Sequence, residues 1–152
     1  MENQDAVRKK VSQLVASQLL AVLATQEAGQ PHASLLAFAE GNALADIFLA
    51  TDRNTRKFKN IREDKRVALL VDDRANQSAD FQTAAALTII GKACELQGTE
   101  MEKARTIYLA RHPTLAEFVM APNTALLRVA VSRYILVTRF QEVFVLDMDE
   151  FL

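Results

Sequence analysis

Apolar residues in this chain fall in short runs, each the length of a strand, and several of those runs are apolar at consecutive positions. The runs are residues 19–24, 32–38, 47–51, 67–71, 87–90, 93–96, 126–131, 134–137 and 143–146. A run of this length bounded by turn residues is a strand signal, and unbroken apolarity rather than alternation means that both faces are covered. Turn-rich residues 26–31 separate the first two runs, and Glu40, Gly41 and Asn42 follow the second, so the chain opens strand, hairpin, strand. Gly91 links the runs 87–90 and 93–96. Helical spacing is rarer. Val7, Val11, Leu14 and Val15 recur at that interval with charged and polar residues between them, and residues 100–110 run toward His112 and Pro113, a helix stop. Strand and helix do not alternate regularly, which excludes a doubly wound parallel sheet. About seven short strands joined in hairpins, with few helices, predict a mainly β fold: an antiparallel β-barrel with flanking helices outside it. The covered outer faces call for a partner, and a homodimer is the expectation; packing by the chain's own helices explains the same pattern in another way.

The 152 residues suit a single domain spanning 1–152, since domains usually hold about 100 to 200 residues. With 18 basic and 19 acidic residues the net charge is −1, so no global field gathers nucleic acid or anionic membrane. One cysteine, Cys94, and two histidines, His32 and His112, cannot build a thiolate zinc cage or a disulfide framework, and no metal ligand set is expected. A reducing, cytoplasmic setting is the expectation. The polar start of the chain and the early interruption of the apolar stretch after Ser17 give neither a signal peptide nor the roughly 20 apolar residues of a membrane span. Gly29, Gly41, Gly91 and Gly98 are too scattered for a dinucleotide fingerprint or a phosphate-cradling loop.

Charge is concentrated in one place. Arg53, Arg56, Lys57, Lys59, Arg62, Lys65 and Arg66 stand between Asp52 and Val67 against only Glu63 and Asp64. Asn54 or Thr55 suits an N-cap, and Phe58 with Ile61 gives an apolar i, i+3 contact, so a short helix is expected from about Thr55 to Asp64. Its charges run against the helix dipole: cations in the first turn oppose the positive end and acids in the last turn oppose the negative end, at about 0.3 to 1 kcal/mol each. An anion docked at the first turn would reverse that penalty, because free amides, the Thr55 hydroxyl, Arg56 and Lys57 would converge on it, with charge-assisted bonds of about 1.5 to 3 kcal/mol. The plainer reading is a solvated basic helix in which Lys59 and Glu63 form an i, i+4 pair. A nucleic-acid patch lacks the interleaved aromatic residues that stack on bases.

The stretch from Ile47 to Val71, IFLATDRNTRKFKNIREDKRVALLV, resembles the pyridoxamine 5'-phosphate oxidase-like family of FMN-binding split barrels. In that family a strand ends in threonine, a Ser/Thr, Arg, Lys triplet opens the next helix, and an "RVxLLx" strand follows; Thr51, Thr55, Arg56, Lys57 and Arg66 to Val71 fall in those places. Gly29, Gln30 and Pro31 look like the family's first hairpin, and Ile90, Gly91, Lys92 and Ala93 like its "IGKA" strand. The resemblance implies an antiparallel split barrel, a homodimer with FMN at the subunit interface, and a cofactor site built from Ser34, Thr51, Thr55, Arg56 and Lys57, with Arg139 of the C-terminal hairpin either a strand-turn residue or, as C-terminal residues do in the family, reaching the flavin of the partner subunit. Departures accompany it. Ser34 and Ala39 stand where the oxidases carry Arg and Lys, Ala86 where they carry a flavin-contacting Gln, and Asp147, Asp149 and Glu150 end a chain whose oxidase counterparts are rich in Arg and His. The cofactor site is thus implied more strongly than pyridoxamine phosphate as substrate.

No side-chain constellation for acid, base or nucleophilic catalysis is visible, which suits an FMN-dependent oxidoreductase in which the flavin carries the hydride or electron to or from a small molecule. The alternative is a non-catalytic flavin- or haem-binding protein, as in haem-utilisation relatives of the family. His112 reads as a helix C-cap, with a haem-ligand role as the rarer option, and His32 as a surface residue or a cofactor contact. Cys94 reads as a small buried hydrophobe, and Asp72 with Asp73 as turn residues rather than metal ligands.

Overall fold

The computed structural model describes residues 3–139 and 141–148; Phe140, Asp149 and Glu150 lie outside the described residues. Among the described residues seven strands form one antiparallel sheet: β1 (Leu20–Glu27), β2 (Gln30–Glu40), β3 (Asp46–Asp52), β4 (Arg66–Asp72), β5 (Ala86–Glu95), β6 (Thr124–Thr138) and β7 (Glu142–Asp147). Their order is β3-β2-β1-β4-β5-β6-β7, and β3 also pairs with β6, which closes six strands into a barrel and leaves β7 as an extension. Around it lie the helices α1 (Gln4–Ser17), α2 (Arg56–Glu63), α3 (Asp80–Thr83), α4 (Gly98–Arg111) and α5 (Ala116–Met120). The expected mainly β barrel with flanking helices is the fold observed.

Two features depart from the sequence reading. The runs 126–131 and 134–137 are not separate strands but one 15-residue strand, β6. The polar pair Ser132 and Arg133 looks like a break in sequence, yet Ser132 is an extra residue in a bulge: Val131 pairs with Gly91, Arg133 with Ile90, and the Ser132 hydroxyl donates to the Ile90 carbonyl at 3.1 Å. The bulge bends β6, so that its first half pairs with β3 and its second half with β7. Gly91 is obligatory here, because a Cβ would run into the Ala130 carbonyl oxygen across the ladder. The second departure is α3 and α5, helices of four and five residues, too short to display a period.

The inner core joins residues from every barrel strand, including Leu23, Phe38, Leu49, Leu69, Ile89 and Leu127, and α1 closes over it with Val7, Val11, Leu14 and Val15, the four positions its spacing singled out. A smaller second core lies outside the barrel, where Ala39, Phe48, Ala50 and Leu126 pack against Ala104 and Tyr108 of α4 and Val119 of α5. Consecutive apolarity in β3 is therefore explained by the chain's own helices, the competing explanation of the sequence reading. The outer face of β1, β2, β4 and β5 differs: Leu20, Leu35, Leu70 and Ile90 are exposed there, Leu35 to 66%.

The hairpin between β1 and β2 turns on Ala28 and Gly29, both left-handed with φ of 50° and 83°, the geometry of a two-residue turn suited to the twist of its strands. That turn fixes where β1 ends, and with it the position of Glu27.

Candidate anion-binding site

The loop from β3 into α2 is organised by β3's last residues. The Asp52 carboxylate accepts the Asn54 N–H at 2.7 Å and the Asn123 amide at 2.9 Å, while its carbonyl accepts the Thr55 N–H at 3.3 Å and the Thr55 hydroxyl at 2.8 Å. Thr55 is the N-cap of α2: its Oγ1 accepts the Phe58 N–H at 3.4 Å, and Thr51 Oγ1 stands 3.0 Å from it. Thr51 is buried, so it braces the cap from behind rather than facing solvent. The N–H groups of Arg56 and Lys57, in the first turn, have no acceptor among the described residues.

Below α2 the apolar face and one amide fix its position. Phe58 and Ile61 enter the inner core. Asn60 is wholly buried, and its side-chain N–H donates to Thr25 Oγ1 of β1 at 3.0 Å. Its Oδ1, together with His32 Nδ1 and Ser34 Oγ, is buried without a hydrogen-bond partner among the described residues. His32 lies opposite Thr25 in the β1–β2 register and Ser34 opposite Leu23, so two of the unpaired atoms are on β2 and the third is on α2.

Above α2 is an open groove of about 740 Å³, lined by Glu27, Arg53, Asn54, Thr55, Arg56, Lys59, Arg62 and Glu63. Four cations, all from the basic run, stand here against two carboxylates. Lys57 is half-buried on a neighbouring face of the helix and does not line it. Arg53 is held at the rim, bonded to Glu95 at 2.6 and 2.9 Å and to the Pro122 carbonyl at 3.1 Å. Arg56 Nη1 lies 3.2 Å from Glu27 Oε2, and Lys59 Nζ lies 3.5 Å from Glu27 Oε1. The i, i+4 pairing of Lys59 with Glu63 is not the one formed; Lys59 turns to β1 instead. At the other end of α2 the Asp64 carboxylate bonds the Arg66 guanidinium and N–H and the Gln26 amide, which together hold it well below the usual carboxylate range. The acid at the wrong pole of the dipole is thus compensated by a neighbouring arginine, whereas the cations at the first turn keep an open cleft in front of them.

The structure brings Thr51, Thr55 and Arg56 together, whereas Ser34 and Arg139 do not line the groove. Ser34 lies on β2 with its hydroxyl buried. Arg139 is exposed in the turn between β6 and β7, with φ of 43°, at the end of the sheet where Val137 pairs with Ala86 and Ala86 with Asp72. The α2 end of β4 is Arg66, six residues or about 20 Å along that strand from Asp72. Arg53, Lys59 and Arg62 stand in the basic run but were not expected as cofactor contacts, and Glu27 enters only through the fold.

The remaining candidates settle elsewhere. His112 is the C-cap of α4, but its ring crosses to β2, where Nε2 is 2.6 Å from the Phe38 carbonyl oxygen and must be its donor; Tyr108 packs on the ring at 5.0 Å between centroids. Asp72 and Asp73 accept backbone N–H groups of Arg74 and Ala85. Cys94 is half-buried and unbonded in β5. A second hollow, about 830 Å³, opens beside the β5–β6 bulge over Val67, Ile90, Val131 and Met148, with Arg66 and Lys92 among its cations.

A family model for pyridoxamine 5'-phosphate oxidase matches residues 7–138. No curated protein sequence matches significantly. Among solved structures, a heme binding protein from Mycobacterium smegmatis superposes with a TM-score of 0.84 at 17% identity; it covers 97% of this chain, which in turn spans only 59% of that protein's chain. A Clostridium acetobutylicum protein related to general stress protein 26 of Bacillus subtilis, of the pyridoxinephosphate oxidase family, gives 0.74 at 14% identity over 98% of this chain and 99% of that one. A FAD-binding protein from Mesorhizobium loti gives 0.69 at 16% identity, covering 83% and 88%. At these identities the superpositions speak for the fold, and the family match spans most of the chain. A closed antiparallel barrel, a Thr-Arg-Lys helix start after a threonine-ended strand, and a family match from α1 to the end of β6 make this chain a member of the pyridoxamine 5'-phosphate oxidase family.

Proposed function

We propose that the chain is an FMN-dependent oxidoreductase that works as a homodimer and holds the FMN phosphate in the groove at the start of α2. The observation that carries this reading is one groove that brings together two N–H groups of a helix N-terminus without acceptors among the described residues, the Asn54 side chain and the cations Arg56, Lys59 and Arg62. That donor set fits a phosphate monoester: it offers positive charge, short donors and solvent access on one side. In this assignment Arg56 binds the phosphate, Lys57 supplies its backbone N–H, and Thr51 holds Thr55 in place. Ser34, with its buried unpaired hydroxyl on β2, is assigned to the ribityl side, and Arg139 to the flavin of the partner subunit, since it lies far from its own groove. When bound, FMN supplies hydride or single-electron transfer, for which the protein needs orientation and exclusion of water more than a catalytic acid or base.

The exposed leucines of β1, β2 and β4 with Ile90 of β5 support dimerisation, because a face of this kind on a stable barrel is more apolar than a solvated sheet. No helix among the described residues is long and apolar enough to cross a membrane, and a cytoplasmic setting remains the assignment made from the single cysteine. The test is direct. Purified protein should carry, or take up, a chromophore with flavin absorption that bleaches with NAD(P)H or dithionite and recovers in air; a protein that shows no flavin band after FMN addition and dialysis contradicts the proposal.

The similarity to a heme binding protein supports a second reading, a non-catalytic flavin- or haem-binding protein on the same barrel. A Soret band on haem titration, without any flavin uptake, would favour it.

A further inference from the structure

We propose that Glu27 is an internal anion in the α2 groove, which a phosphate must displace, and that it sets how tightly the groove holds a phosphate ester. The inference rests on the reading of the groove as a phosphate site and concerns a residue that the reading does not use.

Every carboxylate near α2 could in principle neutralise its cations, and most are engaged elsewhere. Glu95 takes Arg53, and Asp64 takes Arg66. Glu63 lines the groove, but Lys59, one helical turn away, is drawn past it. Glu27 alone, among the described residues, bridges two groove cations, with one oxygen on Arg56 and the other on Lys59. Its backbone cannot follow an incoming ligand. It is the last residue of β1, and the turn after it is pinned by the Gly29 N–H donating to Gln26 Oε1 at 2.7 Å. Its side chain can swing, since it is 37% exposed. Two oxygens spanning an arginine and a lysine stand in for two oxygens of a phosphate.

The ion pairs it makes are exposed and therefore cheap to break, so Glu27 does not close the groove. Once displaced it stays within a few ångströms, where its charge opposes the phosphate dianion. The consequence is a groove whose affinity is deliberately moderated and whose cofactor exchanges, in contrast to one in which Arg56 and Lys59 await the ligand uncompensated.

The experiment compares the whole chain with its Glu27→Gln and Glu27→Asp variants, titrated with FMN and with riboflavin by quenching of flavin fluorescence, and with inorganic phosphate as competitor against FMN. Glu27→Gln is expected to bind FMN about 3- to 10-fold tighter, to be inhibited by correspondingly less phosphate, and to bind riboflavin as the parent does. Glu27→Asp, which keeps the charge, should stay within about twofold of the parent for FMN. Unchanged or weaker FMN binding by Glu27→Gln overturns the proposal, since an orienting carboxylate would behave that way; so does equal tightening toward riboflavin, which points to a general change of shape. If the parent itself binds FMN no better than riboflavin, the phosphate reading of the groove fails, and this inference falls with it for that separate reason.

Discussion

Strand β3 and the groove that begins a few residues after it are neighbours in sequence and opposites in energy. Ile47, Phe48, Leu49, Ala50 and Thr51 are all buried: the odd positions face the barrel and the even ones face α4 and α5. Every group there is matched by the chain's own packing. In the groove, Arg56 is 63% exposed, its ion pair is with a surface carboxylate, and two first-turn N–H groups have no acceptor among the described residues. One region is packed on both faces by the chain itself and the other keeps exposed cations beside unmatched N–H groups, which separates residues that hold the fold from residues available for binding.

The comparison can be broken most forcefully at β3. Phe48→Ala empties a ring position between β3 and α4 and should cost about 3 to 5 kcal/mol of stability, read from urea unfolding, with FMN affinity of the still-folded fraction unchanged. A loss below about 1 kcal/mol would mean that α4 and α5 do not form a true second core. In the groove the expectation reverses. Arg56→Ala should weaken FMN binding by about 10- to 100-fold and leave the unfolding midpoint in place, whereas Lys57→Ala, whose side chain does not line the groove, should weaken it less than about threefold. Equal losses from the two variants would put both side chains on the phosphate; a drop in stability would make Arg56 structural.

The outer face of β1, β2, β4 and β5 is the third term. It is uncovered where β3 is covered, so Leu35→Glu should convert a dimer to monomer in light scattering while preserving the monomer's circular dichroism. If the parent is already monomeric, this face has no second copy. The smallest effect concerns acid. Hydrogen bonds from Arg66 lower the folded-state pKa of Asp64 below its unfolded value, so its stabilisation is present above about pH 4 and is lost as the pH falls through the folded pKa. Asp64→Asn should flatten the decline of the urea midpoint between about pH 4 and pH 2; an unaltered slope would assign that decline to Asp80 and Asp147, which are also lowered.

Much of this was legible in the sequence because it rested on local rules. The spacing of Val7, Val11, Leu14 and Val15 found α1 and its buried face, the Thr55 cap and the Phe58–Ile61 contact found α2, and short apolar runs found the strands. Where tertiary pairing decided, local rules failed. Ser132 and Arg133 look like a turn, and only the facing strand β5, with Gly91 at the shift in register, keeps β6 continuous through them. Consecutive apolar residues in β3 say that something covers both faces, and not whether it is a helix or a second chain. The basic run marked the groove, but charge alone could not tell that Arg53 would be held by Glu95, that Lys57 would turn aside, or that Lys59 would prefer Glu27, 32 residues earlier, to Glu63 on its own helix. Intrahelical spacing offers a pair; the fold decides whether a better placed carboxylate takes it.

A crystal structure of the chain at saturating FMN decides whether the groove is a phosphate site. It should show the phosphate of FMN in the groove, accepting the N–H groups of Arg56 and Lys57 and facing the Arg56 guanidinium, with the Glu27 carboxylate moved off Arg56. Flavin bound with its phosphate anywhere else, or the Glu27 carboxylate still paired with Arg56 and Lys59 at that concentration, would contradict the phosphate reading.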